Sequence, residues 1–412
     1  MATKVGVSCT DDLLKVGSSK YLLESAISSA CIDNPSVVFA FASGSIDPTT
    51  FFEEIREALG PYIPIVGGSA IGVMSNSFLS YRKNCAGILV LQSDIMNLTI
   101  KCDSGLNFCE EKAAERLMKK FITDIDFETK LFMILYDSLK QPKINNLPPI
   151  MNSSFHLLKG IKKNLNTGVP VCGAGLIGDY EFSSAYQFCG DHVGMGHLIG
   201  ILFRGKIKTY YRIMHGCTPL DGIYRKITKI EGPILYEIDG KPVVQMINEL
   251  LGDEDWQKEN PVDFLTIGVN YGERYGPYDE EAYVNRLIIG VTPDKKGVLL
   301  FEPDLEEGME IQLMTRDSER MVESAKKNAN VLLSSILQNG EIPLFGIYID
   351  CAGRAAEYLK IDVEEAWEVQ KVLNAHNVPL FGFYSGVEIA PLLGESRGLD
   401  WTGVLIIFTE ER

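Results

Sequence analysis

One phrase recurs three times in this chain: Ile63-Pro-Ile-Val-Gly67, Val169-Pro-Val-Cys-Gly173 and Val378-Pro-Leu-Phe-Gly382. A second glycine follows each copy, at Gly72, Gly178 and Gly386. The proline suits the start of a strand, where its missing N–H does no harm. The paired glycines allow a tight turn or a close backbone approach. Each phrase has the same neighbours. Upstream stands an apolar run that fits a strand covered on both faces: Val37–Ala42, Leu131–Tyr136 or Leu344–Ile349. A polar loop and a helix-like segment come between, with Asp47 before 51–59, His156–Leu165 in the middle copy, and Asp362 as a cap for 363–373. Downstream lies a closing strand at 87–91, 198–203 or 403–408. Repetition of this order predicts an α/β fold with mixed β-sheets and helices on the outer faces, built from strand-helix-strand-glycine turn-strand units.

Between the second and third copies the pattern changes. Strands are expected within 226–239 and at 263–268, 284–291, 297–301 and 309–314, with helices over 242–251 and 318–337. The polar loop 252–261 ends in a proline and suggests a boundary, giving domains 1–252 and 253–412. Against 39 Lys and Arg stand 55 Asp and Glu, a net charge of −16, which repels nucleic-acid phosphates and anionic lipid. No apolar run is long enough for membrane insertion, and the first residues lack the apolar core of a signal peptide. Nine cysteines without a CxxC pair point to reduced thiols and a cytoplasmic location.

The ordered set of phrases resembles the FIST family, a FIST N domain followed by a FIST C domain. The first half carries the resemblance in Ile63–Gly72, in His215-Gly-Cys-Thr-Pro219 and in Glu237–Pro242. The second half carries it in Tyr283–Arg286, Glu307–Met309, Asp350-Cys-Ala-Gly-Arg354 and Gly382–Pro391. The family's usual Ser-Gly-Glu-Ile is here interrupted by Val387. The resemblance implies a sensory module of signal transduction that binds a small molecule. It also implies a separate output partner, such as a histidine kinase or a cyclic-dinucleotide enzyme, because FIST-like sequence fills the chain. Some relatives bind haem and sense nitric oxide.

The candidate ligand residues are Cys351, Arg354, Tyr384, Ser385, Glu388 and Arg286. Arg354 follows an apolar strand, where ligands collect in open α/β sheets, and can pair a carboxylate or phosphate in two parallel bonds. Equally, it can pair a local acid, and Cys351 can be a small buried hydrophobe. If the third glycine turn lies beside 351–354, Arg354 and Glu388 suit a zwitterion such as an amino acid; otherwise they form a structural salt bridge. His215 is the candidate ligand for haem, or else a hydrogen-bonded loop residue. His192 and His197, five apart, make poor zinc spacing, and no metal is expected. Gly173-Ala-Gly-Leu-Ile-Gly178 matches GxGxxG but lacks a following helix pattern, so it reads as a repeat turn. The glutamate pairs at 280–281, 306–307 and 364–365 read as solvated. No constellation for catalysis stands out, although a Cys351 enzyme with His215 or His376 as base stays open.

Overall fold

A computed structural model describes residues 3–13, 17–143, 149–165 and 168–411. Three six-stranded sheets share one plan. Sheet I runs, in spatial order, through Thr3–Thr10, Ala86–Ser93, Val37–Ala42 and Ile65–Ser69, then Gln187–Gly190 and His192–Gly194. Sheet II runs through Met96–Asp103, Leu198–Gly205, Thr129–Asp137 and Val171–Leu176, then Val387–Leu392 and Glu395–Leu399. Sheet III runs through Ile207–Met214, Gly403–Glu410, Pro343–Cys351 and Leu380–Ser385, then Val73–Ser75 and Leu79–Ser80. In each, the last two strands are a hairpin donated across the molecule. The chain following one glycine turn finishes the sheet of another unit, so the three exchanges close a ring.

The middle strands explain the apolar runs. Val37–Ala42 is buried at every position, as are Val171–Leu176 and Leu380–Ser385. One face meets the shared core, the other the helices. The strand before each glycine turn runs parallel to its neighbour: Val38 pairs with Ile65, Phe132 with Val171 and Gly346 with Leu380. The repeated glycine is a matter of space. A Cβ on Gly67 would stand 2.0 Å from the Ala40 carbonyl oxygen, and one on Gly173 2.0 Å from that of Ile134.

Helices cover the outside. Asp47 caps Pro48–Leu59 by accepting from the Thr50 N–H at 2.7 Å, with Pro48 at the first turn. Ser153 caps Ser154–Lys162, and Asp317 caps Ser318–Gln338. Asp362 caps nothing: the last helix spans Ala366–Ala375, and the preceding turn carries Glu364 and Glu365 inward.

The region between Met214 and Ser318 is an insertion into the third unit. Its strands Glu310–Thr315, Arg225–Glu231, Ile234–Ile238, Val298–Leu300, Tyr283–Val291 and Leu265–Asn270 pair in that order, and the last returns to the first. Residues on both sides of 252/253 therefore share one closed sheet, and Ile207–Met214 pairs with Gly403–Glu410 at the chain's far end. All nine cysteines are free thiols. No helix among the described residues is long and apolar enough to cross a membrane.

Candidate functional site

The end of strand Pro343–Cys351 and the third glycine turn do meet. Cys351 pairs in register with Ser385, whose Oγ donates to Glu388 Oε1 at 2.8 Å. Arg354, wholly buried, sits close enough for its charge to act on Glu388. Its guanidinium, however, is already engaged. Nε donates to Glu365 Oε1 at 2.7 Å, and Nη2 donates to Glu365 Oε2. Nη1 donates to the carbonyls of His215 (3.1 Å) and Trp401 (2.9 Å), and Asp350 lies 3.2 Å from Nε. Arg354 is thus a structural ion pair and does not offer a fork to a ligand carboxylate. The glutamates at 364–365 are not solvated: Glu365 is its partner, and Glu364 accepts from the Ala356 N–H at 2.9 Å. Burial pushes the Cys351 thiol well up, away from nucleophilic character. Tyr384 points to the opposite face from Ser385, edge-on to Tyr81 at 5.7 Å.

His215 is also spent. Its Nδ1 accepts from the Cys217 N–H at 2.9 Å, and its Nε2 donates to the Glu280 carbonyl at 3.0 Å. Burial lowers its pKa and keeps it neutral. With both ring nitrogens bonded to backbone, the residue does not fit an axial ligand to haem. Glu280, read as solvated, turns inward and accepts from the N–H groups of His215 and Gly216 at 2.5 and 2.7 Å.

Unpartnered polar atoms remain at this end, on Asp350, Glu364, Tyr384 and Trp401, and a second set lies where strand Thr129–Asp137 ends. Tyr136 Oη and Ser138 Oγ are buried and have no hydrogen-bond partner. Both face the second glycine turn. A methyl on Gly175 would stand 2.2 Å from Ser138 Oγ and 3.0 Å from Tyr136 Oη. The donated hairpin pairs Glu388 with Ala174, so its side chain lies on the sheet face opposite Tyr136, toward Ser385, and its Oε2 is also unpartnered. Asp400 Oδ1 is a fourth such atom. These groups sense one another. Burial raises the Tyr136 phenol, and the charges of Glu302, Glu388 and Asp400 raise it further. Burial also lifts Glu388 well above the carboxylate range and Asp400 to about 7, the latter against the pull of Arg286. These buried groups are proton donors and acceptors without protein partners, an uncommon state for buried polar atoms.

Arg286 stands between Asp400 and an outer cavity. Its Nη1 lies 3.9 Å from Asp400 Oδ1, and its Nε and Nη2 bind Asp304 at 2.6 and 2.5 Å. Arg286 and Asp304 then line a cavity of about 350 Å³ with Ser154, Lys162, Arg397 and Gly398. Three pieces of structure build it: helix Ser154–Lys162, hairpin strand Glu395–Leu399 and the insertion. Glu302, from the insertion, secures the helix by accepting from the Ser154 N–H at 2.9 Å and from Ser153 Oγ at 2.9 Å. The rim cations are paired: Lys162 and Arg397 with Glu395, and Lys159 and Lys163 with Glu111. Arg397 lies flat on the Tyr271 ring, 3.7 Å from its centre, so its position is set in advance.

Of the residues named from sequence, the structure joins Cys351, Arg354, Ser385 and Glu388, and places Arg286 at the cavity floor. Tyr136, Ser138, Asp400 and Arg397 escaped notice. The one available signal was Gly173-Ala-Gly175 facing the polar loop Asp137–Lys140. That string is no nucleotide loop: residues 179–186 carry no helix.

A family model described as the FIST N domain matches residues 36–241, and one described as the FIST C domain matches residues 244–391. An uncharacterised protein of Methanocaldococcus jannaschii is 27% identical over 175 residues, 38% of this chain and 31% of that protein. An uncharacterised protein of Mycobacterium tuberculosis is 23% identical over 255 residues, 60% of this chain and 64% of that protein. The chain thus spans about a third of the first relative and just under two thirds of the second. Among solved structures, a chorismatase aligns over 99% of both chains at 8% identity and TM-score 0.36. A cyanuric acid hydrolase from A. caulinodans aligns over 100% of this chain and 99% of its own at 11% identity and TM-score 0.36. At that distance neither activity transfers.

Proposed function

Because the chain belongs to the FIST family, with its N and C domains in tandem over most of its length, we propose that it is a small-ligand sensor whose ligand enters between helix Ser154–Lys162, hairpin strand Glu395–Leu399 and the insertion. The observation that carries this is the cavity of about 350 Å³ that these three pieces enclose, with Arg286, Asp304 and Arg397 in its lining. The ligand class is a zwitterion such as an amino acid or a similar metabolite. Its carboxylate competes with Glu395 for Arg397 and Lys162 at the rim, and its ammonium faces Asp304. Arg354 does not contact it.

Such a ligand touches the second unit, the third unit and the insertion at once. Binding therefore biases how the three sit together, and that change is what a signalling partner, such as a histidine kinase or a cyclic-dinucleotide enzyme, would read. No catalysis is part of this reading. The Cys351 thiol is buried and raised, and neither ring nitrogen of His215 is free to act as its base. The nine free thiols suit a reducing cytoplasm.

Thermal-shift titration with amino acids, simple amines and simple carboxylates tests the proposal. A bound zwitterion at about 100 times its Kd stabilises by roughly 2.7 kcal/mol. Amines and carboxylates alone should do less, and Arg397→Ala should weaken the response. The idea is lost if no zwitterion shifts the melting point, or if Arg397→Ala responds as the wild type does.

A further inference from the structure

Five residues separate His192 from His197, and along one continuous strand that interval would put the two rings on opposite faces. The chain does not continue straight. Strand His192–Gly194 ends, and Gly196 adopts a left-handed φ of 65°. His197 is thereby folded back against His192. Their Nε2 atoms lie 2.8 Å apart, with ring centres 4.5 Å apart and planes 54° from each other. We propose that His192 and His197 form a two-histidine site for a divalent transition metal of the Ni2+ or Cu2+ class.

The geometry fits a right-angled pair of ligands. Two imidazoles bound at about 2.0 Å with about 90° between the bonds place their Nε2 atoms about 2.8 Å apart and their ring centres about 4.5 Å apart. Tetrahedral zinc would spread the same atoms to about 3.3 Å. Both observed separations match the right angle, which octahedral and square-planar ions prefer.

The pair is also held in place before any ion arrives. The Gly196 N–H donates to Asp137 Oδ2 at 2.7 Å, and the Gly196 carbonyl accepts from the Leu106 N–H at 3.2 Å. The His197 N–H donates to Gln187 Oε1 at 3.1 Å. Gly194 leaves just enough room: a Cβ there would stand 2.7 Å from His197 Cε1 and 2.9 Å from His192 Nε2. His192 is exposed and His197 half-buried, so an ion reaches the pair from solvent. Among the described residues no third His, Cys, Asp or Glu completes a cluster, so the other coordination positions face water or a small exogenous ligand.

Calorimetric titration of Ni2+ into the full-length chain decides the matter, with Mg2+ as the hard-ion control. One Ni2+ per chain is expected, with micromolar affinity, weakened about tenfold or more in His192→Gln and in His197→Gln. His156→Gln and His376→Gln should bind as the wild type, and Mg2+ should give no heat. His192→Gln alters an exposed side chain and keeps the fold, so it decides the question even if His197→Gln does not fold. Wild-type affinity in His192→Gln, or no Ni2+ binding by the wild type, overturns the site.

Discussion

Two strand ends occupy the same place in their sheets and have opposite fates. Pro343–Cys351 in sheet III and Thr129–Asp137 in sheet II each run parallel to a strand that leads into a glycine turn. Each delivers polar side chains toward the junction of units. At the first, Arg354 follows and answers Glu365 and Asp350, and its remaining donors fasten the carbonyls of His215 and Trp401. At the second the cation that follows, Lys140, turns away to Glu110 at 3.0 Å, and Tyr136 and Ser138 keep unpartnered hydroxyls. The difference shows that a charged side chain on a repeat loop is a poor sign of a binding site. Where the charge is satisfied within the protein it is structure, and capacity to bind remains where polar atoms stay unsatisfied.

Breaking the satisfied end should cost most. Arg354→Met leaves Glu365 buried without its counter-charge, and removing one partner of such a pair typically costs about 3–5 kcal/mol. Urea denaturation measures it. A loss below about 1 kcal/mol would mean that the two strand ends do not differ as described.

The next effect is a pH slope from the unsatisfied end. The Asp400 carboxyl is raised by burial from 3.8 to about 7, and Asp137 to about 6. The folded chain therefore holds these protons more tightly than the unfolded chain does. Their contribution is fully present below the unfolded pKa and is lost as pH rises through the folded values. Stability should fall between pH 4 and pH 7 by roughly 2–4 kcal/mol on account of Asp400. Asp400→Asn should flatten that fall and leave a smaller slope from Asp137. Melting temperatures across this range test it, and an unchanged slope in Asp400→Asn would show that this carboxyl does not hold its proton as described.

The contrast between these ends was only half visible in sequence. The frame was legible because its signals are local and steric. Gly67 and Gly173 recur since a side chain there would strike the facing carbonyl, and Val37–Ala42 is apolar throughout since both its faces are covered. The partner of Arg354 was not legible. Glu365 stands beside Glu364, which looks like a solvated pair, and nothing local shows that the helix begins only at Ala366 and turns both inward. The neighbourhood of Tyr136 was hidden for a different reason. Tyr136 and Glu388 share a sheet only because a hairpin of the third unit completes the sheet of the second, and that exchange has no signature in the chain. His192 and His197 face each other, against the alternation expected of a strand, because the chain folds back at Gly196.

A third substitution sharpens the comparison by crowding the Tyr136 and Ser138 hydroxyls. Gly175→Ala puts a methyl where Ser138 Oγ and Tyr136 Oη converge, forcing both to move. Overpacking of this kind costs about 1–3 kcal/mol, which urea denaturation measures. Gly386→Ala is the control, since its nearest neighbour, Ser138 Oγ at 3.1 Å, is less crowded. Equal loss of stability in both would make the Gly175 contact unspecial.

The smallest expected effect is also the most telling, because its sign differs from that at the satisfied end. Tyr136→Phe removes a hydroxyl that has no partner, while the ring stays among Phe132, Ile134 and Leu157. Deleting a bonded buried hydroxyl usually destabilises by about 1 kcal/mol, because its partner is left alone. Here no partner is abandoned, and the desolvation cost of the hydroxyl disappears, so Tyr136→Phe should leave stability unchanged or raise it by up to about 1 kcal/mol. The same change should weaken the binding of a ligand that uses the hydroxyl. Stability and binding would then move in opposite directions on losing one oxygen atom, as expected of a group kept for a ligand. Destabilisation by more than about 1 kcal/mol would place Tyr136 with Arg354, among the residues that hold the fold together.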